Sequence, residues 1–251
     1  MSWGTMFLRS SRSVVLNMKI TLRTSLYALA LVGFTANAWA YSSAQFDAAT
    51  TAEDAQVYRI REQEITQLKI VLGRRFSETR KPDILLRLAE LYIEKYRFYF
   101  FKENEIHQEL IKKGHKPKRV DHERSRAQLK AATNVCLSIL KSRVQFAKMD
   151  QVYYFLGYNF EELGNHKEAK KYFETVVTRF PRSSYAPEAF RNLAESAFED
   201  KKYAKSVEYY ERAAEFTKVP SYPRTLYKLA WSYFKLRRRN EALETMKKVI
   251  S

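Results

Sequence analysis

One pattern is written three times in the second half of this chain, and that periodicity restricts the fold more than any other feature. From Asp150 the sequence reads DQVYYFLGYNFEELGNHKEAKKYFETVVTRFP, from Pro187 PEAFRNLAESAFEDKKYAKSVEYYERAAEF, and from Pro223 PRTLYKLAWSYFKLRRRNEALETMKKVI. Leu156, Leu193 and Leu229 lie 37 and 36 residues apart. In the first unit Tyr153, Leu156 and Phe160 share one helical face, and Gly157 beside them leaves room for a close neighbour. Gly164-Asn165 marks a turn. Ala169, Phe173 and Val176 then recur at i, i+4 and i+7 on a second helix, which Pro181 stops because proline cannot continue it. The same places are taken by Phe190, Leu193, Ala194 and Ala197, then Ser206, Tyr210 and Ala213, in the second unit. In the third they are taken by Leu226, Leu229, Ala230 and Tyr233, then Ala242, Met246 and Val249. A lone helix pair of this kind cannot bury its apolar face, so copies must stack. The expected fold is an all-α solenoid of helix-turn-helix units.

The first half reads as a variation on the same theme. Leu85, Leu88, Ala89 and Tyr92 occupy first-helix places, but the helical pattern runs on to Gly114. A second helix over 123–148 carries Leu129, Ala132, Cys136, Ile139, Leu140 and Val144 in register. This predicts a lengthened, degenerate helical hairpin within an N-terminal region at 52–149. A helix at 52–75, with Val57, Ile60, Leu68 and Val71 on one side, is expected to cap the stack. The three repeats are expected at about 150–183, 187–217 and 223–251. The outer face of the last one calls for further repeats, a partner or a second copy to cover it.

Residues 1–40 read as a signal-peptide region. Translation is expected to start at Met18; Lys19 and Arg23 form a basic segment, 26–34 an apolar one, and Ala38-Trp39-Ala40 a cleavage site. Tyr41 follows the cut where a lipoprotein would have Cys. Small polar residues at 41–51 predict a disordered linker. The location expected is periplasmic or secreted.

The formal net charge is +17, and 1–40 contributes four basic and no acidic residues, leaving +13. Much of the excess sits at two predicted turns. One holds Lys112, Lys113, Lys116, Lys118 and Arg119, the other Arg237, Arg238 and Arg239. Such patches suit anionic lipid, a cell-wall polymer or an acidic partner, and nucleic acid is not expected for an exported chain. Catalytic motifs are absent from the sequence. His122-Glu123 begins like a zinc-protease helix, but Arg126 stands where the second histidine belongs. His115, Asp121 and His122 lie in a basic turn that would repel a cation. No metal, cofactor or enzymatic activity is expected, and the single Cys136 reads as a small core residue.

The Leu-Gly or Leu-Ala pair followed by aromatic, alanine and large residues at fixed offsets resembles the tetratricopeptide repeat (TPR), whose period is about 34 residues. The resemblance implies a right-handed superhelix that binds other proteins. It also implies a concave groove lined by first-helix positions 2, 5, 9, 12 and 13. Carried onto this chain, the groove residues are Tyr154, Tyr158 and Glu161, then Arg191, Glu195 and Phe198, then Tyr227, Trp231 and Phe234. The expected occupant is a peptide or helix segment of a partner protein. The stretch RFPRSSYAPEAF resembles the F-P-x-S-x-Y-A-x-x-A junctions of bacterial envelope TPR proteins, of the outer-membrane-assembly and Tol–Pal-associated kinds. LLRLAELYIEK and TLYKLAWSYFKL resemble repeats of large periplasmic TPR scaffolds. The role implied is a scaffold or adaptor in a cell-envelope complex.

Overall fold

A computed structural model describes residues 52–74, 80–115, 119–142 and 144–250. The signal-peptide region, the linker at 41–51, Lys116 and Lys118 lie outside the described residues. Among the latter are nine helices and no strand: α1 (Ala52–Gly73), α2 (Lys81–Lys112), α3 (Glu123–Lys141), α4 (Met149–Glu162), α5 (His166–Arg179), α6 (Ala186–Glu199), α7 (Tyr203–Ala214), α8 (Tyr222–Lys235) and α9 (Arg239–Ile250). Each helix packs on the next one in the chain. The result is a linear series of helix pairs, as the repeated sequence requires.

The helix ends follow from local chemistry. Pro82, Pro187 and Pro223 stand in the first turns of α2, α6 and α8, where a missing N–H removes no helical hydrogen bond. The Asn165 side chain accepts the Glu168 N–H and caps α5. Helices α2, α4, α6 and α8 all end in one kind of elbow. Gly114, Gly164, Lys201 and Arg237 have φ of 84°, 79°, 61° and 61°. The next N–H then reaches back five residues, from His115 to Leu110, Asn165 to Phe160, Lys202 to Ala197 and Arg238 to Tyr233, at 2.8–3.0 Å. Lys201 and Arg237 hold this left-handed conformation with a full side chain, at a cost of about 1 kcal/mol.

Small residues set the spacing within pairs. A Cβ added at Gly157 would lie 2.7 Å from two ring carbons of Phe173, which is itself 2% exposed. Leu86, Ala89, Cys136, Ile139, Val152 and Leu156 form one core joining α2, α3 and α4. Ala169, Phe173, Val176, Ala189 and Leu193 join α5 to α6. Ala194, Val207, Tyr210, Leu229, Tyr233 and Ala242 join α6 through α9.

Two expectations need correction. The packing stripe of α1 is Ile65, Leu68 and Leu72 against Leu88 and Leu91; of the four residues expected there Leu68 belongs to it, Val57 and Val71 are half-buried, and Ile60 is 36% exposed. Ion pairs align α1 with α2: Arg61–Glu94 at 2.9 Å, Arg87–Glu64 at 2.6 Å, Lys102–Asp54 at 3.0 Å, and Lys95–Glu62. The helix expected at 123–148 ends at Lys141. There the Ser142 hydroxyl donates to the Ile139 carbonyl at 2.7 Å, and Val144 lies in the connection to α4.

The lengthened hairpin is present. Helix α2 has 32 residues, about 48 Å at 1.5 Å per residue, against 14 residues in α4, about 21 Å. Glu103 ties the far part of the hairpin together. One carboxylate oxygen accepts the Ser125 N–H at 3.0 Å, and the other lies 3.1 Å from His122 Nδ1. A carboxylate from α2 thereby caps the positive end of α3.

Candidate partner-binding groove

The residues carried over from the repeat register sit on α4, α6 and α8, the first helices of the three repeats. Their chemistry changes along the array. On α4, Tyr154 stacks on Tyr185 at 5.0 Å between ring centroids and packs on Phe173 at 6.0 Å. Tyr158 meets Tyr96 of α2 edge-on at 6.5 Å and lies beneath the Arg97 guanidinium at 5.6 Å. Both tyrosines are half-buried, and burial pushes the Tyr154 hydroxyl up to about 12 and raises that of Tyr158. Glu161 lies 2.9 Å from His166 Nδ1.

The middle of the row is charged and internally satisfied. Arg191 Nε donates to Glu188 at 2.8 Å and Nη1 donates to Glu195 at 3.0 Å. Burial alone would lower the Arg191 pKa, but these two carboxylates outweigh it and hold the guanidinium above its ordinary value. Arg224 of α8 reaches the same Glu195 at 3.7 Å, linking the second repeat to the third. Phe198 packs edge-on against Tyr203 at 5.2 Å.

On α8 the row opens. Trp231 meets Tyr227 at 6.3 Å and Phe234 at 5.7 Å, both edge-on. Trp231 is 40% exposed and Phe234 53%. Tyr227 is half-buried. These rings are held by one another and still offer area to a ligand, a combination typical of binding hot spots.

The described basic residues differ in how far they are paired. Lys112 pairs with Glu109 at 2.7 Å. Arg238 pairs with Glu241 at 2.9 Å and covers the Tyr233 ring at 4.6 Å. Lys113, Arg119, Arg237 and Arg239 are exposed. Cys136 is fully buried, and burial pushes its thiol up to about 12, which suits packing. No described helix is long and apolar enough to cross a membrane.

Several residues of this face were missed by the register. Gln151 donates to Glu90 of α2 at 2.7 Å. Gln151, Glu188 and Arg224 stand at repeat position 2, so the same rule could have named them. Tyr96, Arg97 and Phe100 of α2 continue the aromatic row beyond the repeats. Their helical spacing after Leu88-Ala89 was the available signal.

Two family models, both described as Tetratricopeptide repeat, match residues 154–223 and 224–251. Among solved structures, a crystal structure of MamA protein is 14% identical, with 82% of this chain and 88% of that chain aligned and a TM-score of 0.53. A MamA RS-1 double mutant is 16% identical, covering 84% and 95%, with a TM-score of 0.51. The nearly identical TPR-like repeats of a Podosopora anserina protein named for a kinesin light chain are 16% identical, covering 82% and 91%, with a TM-score of 0.52. At these identities the likeness concerns the fold alone. Among curated proteins none matches this chain. Residues 154–251 are tetratricopeptide repeats, and the described chain folds as an all-α solenoid of the TPR type.

Proposed function

We propose that this chain is an exported, non-catalytic scaffold that holds a segment of a partner protein in its concave groove, within a complex of the cell envelope. The observation that carries the reading is the row of first-helix side chains, above all the half-exposed Trp231 and Phe234 backed by Tyr227. Apolar rings offered beside satisfied ion pairs suit an extended or helical segment with apolar side chains. Export is supported by the basic, apolar and Ala-x-Ala segments at 18–40. The envelope setting is supported by the F-P-x-S-x-Y-A junction at 180–186.

The test is affinity capture from envelope extract with the chain from Tyr41 to Ser251, wild type beside Trp231→Ala/Tyr227→Ala. Specific proteins held by the wild type and absent from the variant support the groove. Equal capture by both, stripped alike by salt, moves the binding surface to the exposed cations Lys113, Arg119, Arg237 and Arg239. The partner would then be an anionic lipid or cell-wall polymer.

A further inference from the structure

The first helix of the hairpin carries an aromatic face that no repeat covers. Helix α4 ends at Glu162, whose carboxylate meets the Tyr96 hydroxyl of α2. Beyond Tyr96, α2 continues for four more turns. Arg97, Phe100, Phe101 and Asn104 follow at i, i+3, i+4 and i+7, which places them on one helical face. Phe100 is 41% exposed and Phe101 44%.

This face is joined to the groove by a chain of ring contacts. Phe100 packs on Tyr96 at 5.7 Å, and Tyr96 on Tyr158 at 6.5 Å. Phe100 also stacks nearly flat on His122 at 4.7 Å and 10°. His122 is anchored in turn by Glu103. A ring already in contact with two others loses little freedom when a ligand seats on it.

The charges at this face are the Arg97 guanidinium and, on the α4 side, the Glu162 carboxylate that accepts from the Tyr96 hydroxyl. The Arg97 guanidinium lies over the Tyr158 ring and is exposed, and among the described residues no carboxylate is paired with it. Asn104 donates to the Phe100 carbonyl at 2.6 Å and presents no charge. Arg191, by contrast, has both neighbouring carboxylates. Of these two arginines, Arg97 is the one whose charge is available to a ligand.

We infer that the concave binding surface extends past the repeats onto α2, and that this extension takes the part of the partner segment bearing an acidic residue beside an aromatic or large apolar one. The carboxylate pairs with Arg97 and the apolar side chain seats on Phe100 and Phe101. This rests on the groove reading above, adding a second anchor and a chemical preference to it.

The probe is a phage-displayed library of random 12-residue peptides, selected on the immobilised chain from Tyr41 to Ser251. Wild type should enrich peptides with Asp or Glu next to an aromatic or aliphatic residue. Their affinity should fall roughly five- to tenfold in Arg97→Glu, since an attraction becomes a repulsion. Selection on Arg97→Glu should enrich Lys or Arg at that place instead. Phe100→Ala/Phe101→Ala should abolish the apolar preference. Phe101→Ala alone, at a ring with no aromatic partner among the described residues, guards against misfolding and should weaken binding severalfold with unchanged thermal unfolding. Peptides weakened by Trp231→Ala but indifferent to Arg97→Glu and Phe101→Ala overturn the extension and leave the groove standing. Peptides indifferent to all of these variants overturn both. Binding of phosphatidylglycerol vesicles that is lost in Phe101→Ala also overturns the inference, by assigning the face to a membrane surface.

Discussion

Gly157 is the position at which the helix-pair packing can be tested by a single methyl group. In Gly157→Ala two effects oppose each other. Alanine is about 1 kcal/mol better than glycine in a helix interior. Against this, the new Cβ would stand 2.7 Å from two carbons of the Phe173 ring and 3.0 Å from a third. The ring is 2% exposed and shares its core with Val176, Ala189 and Leu193, so moving it disturbs α6 as well as α5. Overpacking of this kind costs about 1–3 kcal/mol. The net expectation is a loss of about 1 kcal/mol, or roughly 2–4 °C in a chain of this size. Repeats two and three carry Ala194 and Ala230 at the same place, with Tyr210 and Met246 at the register position of Phe173. Gly157→Ala/Phe173→Met therefore imports the third repeat's pair and should recover most of what Gly157→Ala loses. Urea unfolding followed by circular dichroism at 222 nm, on the four members of the double-mutant cycle, measures the coupling. A Gly157→Ala variant more stable than wild type by about 1 kcal/mol, or a cycle that closes additively, would refute the claim that this glycine sets the helix spacing.

Other predictions address the ends and edges of the array. Lys201→Gly and Arg237→Gly should each stabilise the chain by about 0.5–1 kcal/mol by removing a side chain from the left-handed region, as equilibrium unfolding would register. Glu103→Gln should cost about 1–2 kcal/mol, because a charged cap on α3 becomes a neutral one, and amide exchange should accelerate first near Ser125. Trp231→Ala should change stability by less than about 0.5 kcal/mol while removing partner binding; a large stability loss would assign that ring to packing. Raised tyrosine pKa values make the fold sensitive to alkali. Burial pushes Tyr154 up to about 12, and burial with the Glu211 carboxylate does the same to Tyr233. Their contribution is intact below the unfolded value near 10 and is lost as pH rises from about 10 to 12. Absorbance at 295 nm should show late-ionising tyrosines together with falling helicity; one tyrosine class near pH 10 with unchanged helicity contradicts this.

The repeats were legible because their packing is written in residue size. Gly157 opposite Phe173 and Ala194 beside Tyr210, with Ala230 and Met246 at the same register in the third unit, can be read as letters, since close approach admits few alternatives. The α1–α2 contact was less legible for a physical reason. It is made by Ile65, Leu68 and Leu72 together with the ion pairs Arg61–Glu94, Arg87–Glu64, Lys95–Glu62 and Lys102–Asp54, and hydrophobic periodicity is blind to such pairs. The early end of α3 turns on Ser142, a residue that also tolerates helix interiors, so no punctuation announced it. At the groove, Arg191 looked from composition like an offered hot spot. The spacing Glu188-x-x-Arg191-x-x-x-Glu195 already contained the i,i+3 and i,i+4 clamps that occupy it. The hairpin face was missed because the repeat register has no positions beyond its own length.

The shared elbow has a consequence for how such an array changes over time. Four turns close with the same backbone path and the same reach-back hydrogen bond, although their left-handed residue is glycine twice, lysine once and arginine once. The path is thus dictated by the helices stacked on either side, and the residue at the corner merely complies. A whole unit, from one first helix to the next, is in effect an interchangeable cassette. Duplicating, deleting or shuffling it requires no new corner to be invented, so the order of aromatic and charged stations along the groove can be rearranged without solving the folding problem again.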